Sequence, residues 1–282
     1  MRRRSARSPR CSATPPPGFP PDPTKETPVV TAPATPDALR AELVDLSHEL
    51  GRPDRDWTIL AEGNSSLRSG PDSFLVKASG AWMSRVVADD FVEVSLPTML
   101  ELIDSPTAGD AEVSSYFSSV AETAPGGRRP SVESLLHAVC LDLPGVTAVG
   151  HTHPTAVNSL LCSPHAASLV DGSLFPDQIV VLGTAPLLIP YVDPGLKLAQ
   201  VARQLLAERS VPRAIYLQNH GMFALGSSAA EVVQITQMAV KVAKVILGSL
   251  PASGPTYMDP VEVARIDTRP DELLRRQALA ES

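Results

Sequence analysis

Leu39, Leu43, Leu46 and Leu50 recur at helical spacing behind Thr35-Pro36-Asp37, and Gly51 ends the run. A threonine N-cap followed by proline in the first turn starts a helix, so the pattern predicts one here. Farther on the period shortens. Residues 73–77 (SFLVK) and 91–95 (FVEVS) read as strands separated by turn residues, and 97–103 reads as a turn or two of helix. The stretch from Asp104 to Pro130 is rich in Ser, Gly, Pro and Thr. It predicts a long loop with a weak element near Val113–Phe117, and a loop of that length is unusual unless functional.

A second helix opens at Ser131, with Leu135, Leu136, Val139 and Cys140 on its apolar side, and stops at Pro144-Gly145. The apolar run 146–150 predicts a strand leading straight into His151-Thr152-His153-Pro154. A short helix, strand-like segments at 178–182 and 187–189, and a helix over 197–208 follow. Residues 214–217 predict a strand that ends in Gln218-Asn219-His220-Gly221. Strand-like 222–225 and a long helix over 228–247 come next. Residues 251–282 read as a peripheral C-terminal tail. The body, 37–250, thus alternates helices and strands, with no internal repeat.

The first 36 residues differ from the rest. They hold 10 of the 28 prolines, and six basic against two acidic side chains leave them at +4, so the remainder carries −11 of the net −7. Too few apolar residues stand there to offset the entropy of ordering, and the segment reads as a disordered tail. No apolar stretch follows its arginines, which argues against a secretory signal. The acidic body argues against nucleic acid as a partner. No apolar run approaches a membrane-spanning length, so no membrane partner is expected. Cys11, Cys140 and Cys162 form neither a disulfide framework nor a CxxC site, in keeping with a cytoplasmic protein.

Candidate chemistry concentrates at the strand ends. Side chains at i and i+2 of a strand share a face, so His151 and His153 project together. His220 stands at another strand exit, and Glu133 lies in the first turn of the helix leading to the His pair. Three imidazoles and a carboxylate suit a divalent ion such as Zn²⁺. A carboxylate able to leave the ion would also supply a base. His137, four residues after Glu133, reads as a supporting or packing residue. Separately, Glu62-Gly63-Asn64-Ser65-Ser66-Leu67-Arg68 offers an amide, hydroxyls and a guanidinium to an anion. Ser79-Gly80 and Ser131 are two further anion-friendly positions.

Taken in order, these pieces resemble the class II aldolase and adducin family. The matching motifs are GNSSLR at 63–68, Ala78-Ser79-Gly80, Ser131-Val132-Glu133 with His137, HTHP at 151–154 and QNHG at 218–221. Tyr191-Val192-Asp193-Pro194-Gly195 resembles a Tyr-x-x-Pro-Gly segment of the same family. The resemblance spans residues 39–247. It implies an α/β fold: a three-layer α/β/α domain around a central, mostly antiparallel mixed sheet. It also implies Zn²⁺, or another divalent transition metal, on His151, His153 and His220. Glu133 would be the fourth ligand or the catalytic acid/base, and Asn64, Ser79, Gly80 and Ser131 would hold a substrate phosphate or carboxylate. The implied activity is that of an aldolase acting through a metal-stabilised enediolate of a sugar, a sugar phosphate or a related hydroxy-carbonyl compound. Epimerase, dehydratase and decarboxylase activities occur in the same family, as do adducin-like modules without chemistry. A homo-oligomer, a tetramer, is implied too, with Tyr257 a candidate to complete a neighbour's site. Val132 and Ala61 depart from the phosphate-site pattern, which leaves the phosphorylation of the substrate open.

Overall fold

A computed structural model describes residues 35–280. The tail predicted for 1–36 therefore lies outside the described residues, except for Thr35 and Pro36. Thr35 caps helix α1 (Pro36–Leu50), accepting from the Ala38 amide at 3.3 Å. Strands β1 (Asn64–Arg68), β2 (Ser73–Lys77) and β3 (Phe91–Ser95) follow, then helices α2 (Leu96–Asp104), α3 (Asp110–Thr123) and α4 (Ser134–Leu141). Next come β4 (Ala148–Thr152), α5 (Thr155–Leu161), α6 (Pro176–Leu182), β5 (Leu187–Ile189) and α7 (Leu196–Leu206). The rest is β6 (Ala214–Leu217), β7 (Gly221–Gly226), α8 (Ala229–Ser249), α9 (Pro260–Asp267) and α10 (Pro270–Ala280).

The seven strands form one sheet in the order β3-β2-β1-β4-β7-β6-β5. Every pairing is antiparallel except β5 with β6. Alternating side chains feed two cores. Phe74, Val76, Val149, Ile215 and Phe223 pack with the buried sides of α2, α3, α4 and α7. Leu67, Leu75, Ala148, Tyr216 and Met222 pack with α1, α5 and α8 on the other face. The expected three-layer α/β/α arrangement is therefore present.

Three segments differ from expectation. The supposed loop after Asp104 holds α3, a helix of 14 residues. Its buried residues are Val113, Phe117 and Val120, one per turn. Residues 176–182 are helical rather than extended. Pro176 opens α6, and burial of Ile179, Val180 and Leu182 overrides the strand preference of β-branched residues. The polar C-terminal stretch, read as a peripheral tail, carries helices not foreseen in the sequence. It forms α9 and α10, with Arg276 donating to the carbonyls of Ile179 and Val180 on α6. By length and composition α8 would pass for a membrane-crossing helix. Here it serves the core, burying Val232, Ile235, Ala239, Ala243 and Ile246 against the sheet.

Candidate metal centre

β1, β4 and β7 lie side by side, and their register builds the centre. His151 on β4 pairs with Asn64 on β1 and with Phe223 on β7. Its ring is fully buried and stacks on Phe223 at 4.2 Å between centroids. Alternation along β1 points Asn64 and Ser66 at α4, and Ser65 at α1. Ser66 Oγ accordingly meets His137 Nδ1 at 2.7 Å, and Ser65 Oγ meets Ser47 Oγ at 2.6 Å. His153 stands just beyond β4, where its amide donates to the Trp57 carbonyl at 2.8 Å. His220 closes the turn between β6 and β7, after Asn219 in the left-handed conformation (φ +57°). Gly221 is required there by space. A Cβ would lie 2.6 Å from both the His153 ring and the Thr152 carbonyl.

Four donors converge. His153 Nε2 lies 2.9 Å from His151 Nε2, while Glu133 Oε1 lies 3.2 Å from His151 Nε2 and 2.9 Å from His220 Nε2. One ligand atom from each of the four residues falls within 4.8 Å of every other. The far ring nitrogens say what this set can hold. His151 Nδ1 faces the Met222 carbonyl at 3.0 Å, and His153 Nδ1 faces Glu62 Oε2 at 3.1 Å. Protons placed on these two Nδ1 atoms leave both Nε2 lone pairs free for the shared space, where Glu133 Oε1 also lies, and a cation there would take all three donors. Nitrogen and carboxylate donors in this arrangement fit a divalent ion at about 2.0–2.2 Å.

Burial, reinforced by positive charge on His151 and His220, pushes His153 down to about 3, so His153 is neutral at pH 7. Burial works against the charge of Glu133, but His151 and His220 outweigh it and hold the carboxyl well below its usual range. Glu133 precedes the first residue of α4, and its Oε2 accepts from Asn64 Nδ2 at 2.5 Å.

His137 is packed and buried. Its ring meets Phe223 edge-on at 5.1 Å, and burial, then the charge of His151, pushes it down to about 3. The anion donors expected along 62–68 are spent internally. Asn64 serves Glu133, the two serines pair with His137 and Ser47, and Arg68 donates to the Leu141 and Pro71 carbonyls. Ser79, Arg129, Ser131 and Val132 line a cavity of about 570 Å³ that reaches α3. The Ser79 amide is taken by the Arg129 carbonyl at 2.9 Å. Arg129 donates to the Ser114 carbonyl of α3 at 2.9 Å. Gly80 has φ +78°, a conformation that favours glycine. Tyr257 is partly buried. It packs over Gly172 and donates to the Ser168 carbonyl at 2.8 Å.

Sequence reasoning assigned no role to two residues near the centre. Glu62 backs His153. Lys77, 1% exposed, donates to the Ala81 carbonyl at 2.6 Å, and burial pushes it down to about 8 against the opposing pull of Glu133 and Asp90. The only local signal for Lys77 was a lysine interrupting an apolar strand.

A family model described as the class II aldolase and adducin N-terminal domain matches residues 41–247. The uncharacterised oxidoreductase YuxG of Bacillus subtilis is 27% identical over 203 residues, which are 69% of this chain but only 27% of that protein's length. A methylthioribulose-1-phosphate dehydratase of Sorangium cellulosum is 26% identical over 208 residues, 70% of this chain and 85% of the other. Among solved structures, an L-fuculose 1-phosphate aldolase superposes with a TM-score of 0.61 at 19% identity, covering 83% of this chain and 96% of the other. At that identity the superposition speaks for the fold alone.

Proposed function

The chain belongs to the class II aldolase and adducin family, and from that premise we propose that it is a metal-dependent lyase of small hydroxy-carbonyl compounds. The observation that supports this best is the convergence of three Nε2 atoms and one carboxylate oxygen, two of the imidazoles being backed by fixed acceptors. A module kept only for binding partners has no need of that set. In this reading His151, His153, His220 and Glu133 hold Zn²⁺ or a related divalent ion. When bound, the cation supplies Lewis acidity that polarises a substrate carbonyl.

The protein's own residues do the rest. In the condensing direction Glu133 takes the proton from the carbon next to that carbonyl, this carbon attacks an aldehyde, and the proton held by Glu133 passes to the aldehyde oxygen as it becomes a hydroxyl. In cleavage Glu133 takes that hydroxyl proton, the carbon–carbon bond breaks to release the aldehyde, and the Glu133 carboxyl returns the proton to the carbon left behind. Asn64 holds the second oxygen of Glu133, so one oxygen stays aimed at the reacting centre. Ser79, Ser131 and Arg129 line one cavity, and in this reading they receive an anionic group of the substrate together with Gly80, the residue after Ser79. Val132, half exposed where a further hydroxyl was expected, leaves that charge to Arg129.

Dehydration is the second reading. It is favoured by the dehydratase name shared by relatives from three organisms at 24–27% identity. The first proton transfer is the same, but hydroxide then leaves the neighbouring carbon and departs as water. One experiment serves both. Metal-loaded protein is incubated with a panel of ketose phosphates and free ketoses, and products are read by mass. Loss of 18 mass units identifies dehydration, and release of an aldehyde identifies cleavage. Metal content is measured alongside in His151→Ala and His153→Ala. Full metal retention in both variants, or no turnover across the panel, contradicts the proposal.

A further inference from the structure

The three imidazoles of the centre are backed in three different ways. His151 Nδ1 has a backbone carbonyl, His220 Nδ1 is buried without a partner, and His153 Nδ1 has the carboxylate of Glu62. Glu62 is not one of the converging donors. Its Oε2 lies across the His153 ring from Nε2, and its Oε1 accepts from the Ile59 amide at 2.7 Å.

The loop that presents Glu62 is tightly specified. Leu60 sits at φ +52°, a conformation a leucine keeps only where its surroundings impose it. Gly63 has φ +76°, and a Cβ there would lie 2.8 Å from Thr58 and 2.9 Å from the His151 carbonyl. Two backbone bonds stitch the start of the loop to the exit of β4, His153 to Trp57 at 2.8 Å and Thr155 to Asp56 at 3.2 Å. Glu62 is thus held against His153 from both sides of the loop.

Resting on the reading that the centre holds a divalent metal, we propose that Glu62 is a positioning residue that makes His153 the strongest of the three imidazole donors. An imidazole with no partner has two tautomers and two ring orientations, and few of the combinations offer Nε2 to the ion. The carboxylate fixes the Nδ1–H tautomer and the ring plane. Its negative charge also raises electron density at Nε2, which a neutral carbonyl does to a lesser degree. His151 therefore receives the orientation without the charge, and His220 receives neither from its far nitrogen. A cavity of about 410 Å³, lined by Asp56, Thr58, Ile59, Thr155 and Ser159, adjoins Glu62 and His153. The Glu62 side chain is partly exposed, so substituting it leaves no sealed void.

The test is Zn²⁺ affinity, measured by chelator competition on stripped and refilled protein, for wild type, Glu62→Gln and Glu62→Ala. Melting of the metal-free forms is followed in parallel. Glu62→Ala should bind Zn²⁺ about 10- to 100-fold more weakly, the usual consequence of losing such a backing group. Glu62→Gln keeps an acceptor but not the charge and should fall between. Metal-free melting should be unchanged, and the visible bands of the Co²⁺-loaded protein should shift in both variants. Affinities within about twofold of wild type, with an unaltered Co²⁺ spectrum, overturn the inference. Should Glu62→Ala fail to fold, Glu62→Gln decides alone: a loss beyond about threefold supports the inference, and none overturns it. Absence of Zn²⁺ binding by the wild type would instead overturn the metal reading, so the two failures are distinguishable.

Discussion

Asn64 donates its side-chain amide to Glu133 at 2.5 Å across 69 residues of sequence, joining β1 to the start of α4. One oxygen of the carboxylate is thereby occupied, and the other faces His151 and His220. Asn64→Ala frees the carboxylate to rotate, and turnover should fall about tenfold or more, since positioning of a proton-transfer group is worth that much. Asn64→Asp should be worse, because a second carboxylate at that distance repels the first and raises its pKa. Equal rates for the two variants would show that charge at position 64 does not reach Glu133.

Glu133→Gln separates proton transfer from metal binding. Three imidazoles remain, so much of the metal should stay, while turnover drops roughly 10²- to 10⁴-fold, the usual contribution of a positioned acid or base. His151→Ala and His153→Ala should lose metal and activity together. If Glu133 only complemented the helix dipole, the Gln variant would change stability by about 0.3–1 kcal/mol and leave turnover intact. Steady-state rates at saturating metal discriminate between these outcomes.

Gly221→Ala is expected to damage the centre without touching a ligand. The added Cβ meets the His153 ring and the Thr152 carbonyl at 2.6 Å, and the carbonyl belongs to a paired strand that cannot retreat. Overpacking of this kind costs about 1–3 kcal/mol. Zn²⁺ affinity should fall along with stability. Normal affinity in a destabilised variant would show that the strand, and not His153, yields.

Lys77 makes stability depend on pH in a particular direction. Its folded pKa near 8 lies below the unfolded value of about 10.4, so below pH 8 the ammonium is charged in both states and its burial penalty is fully present. Between pH 8 and about 10.4 the unfolded chain binds more protons, and stability rises with pH. The shift corresponds to on the order of 3 kcal/mol. Lys77→Met removes this dependence at the expense of a partner for the Ala81 carbonyl. Relative to wild type, the variant should therefore look best at pH 7 and lose ground by pH 10 in urea titrations. A difference independent of pH contradicts this account.

The proposed donors were legible because their signals are local and stand in one order. An HxH at a strand exit, a His-Gly at another and a Glu expected in the first turn of a helix are each weak alone, and the resemblance of the ordered motifs joined them into one set. Partner choice was not legible. Asn64 resembles an anion donor until the β1–β4 register sets it beside His151 and toward Glu133, and Ser66 until the same register aims it at His137. Glu62 carried no signal, since its contact with His153 spans 91 residues and depends on a loop with left-handed Leu60. In the fold, α3 was hidden by serine-rich composition around three buried positions. In α6 the run Ile179-Val180-Val181-Leu182 has the composition of a strand, and only packing against α8, α9 and α10 makes it a helix.

The proposed donors come from the start of α4, from β4, from its exit and from the β6–β7 turn, so no single segment carries more than two of them. A chain that has not yet paired β4 with β7 offers an incoming ion only the two neighbouring imidazoles of the HTHP segment. Long-range pairing of this kind is the slow part of folding, because loop closure precedes any gain from contact. An ion that is fully held only after those closures stabilises the finished state and not the barrier leading to it. Zn²⁺ should therefore leave the refolding rate of the metal-free chain nearly unchanged and slow its unfolding, the kinetic signature of an interaction completed after the transition state.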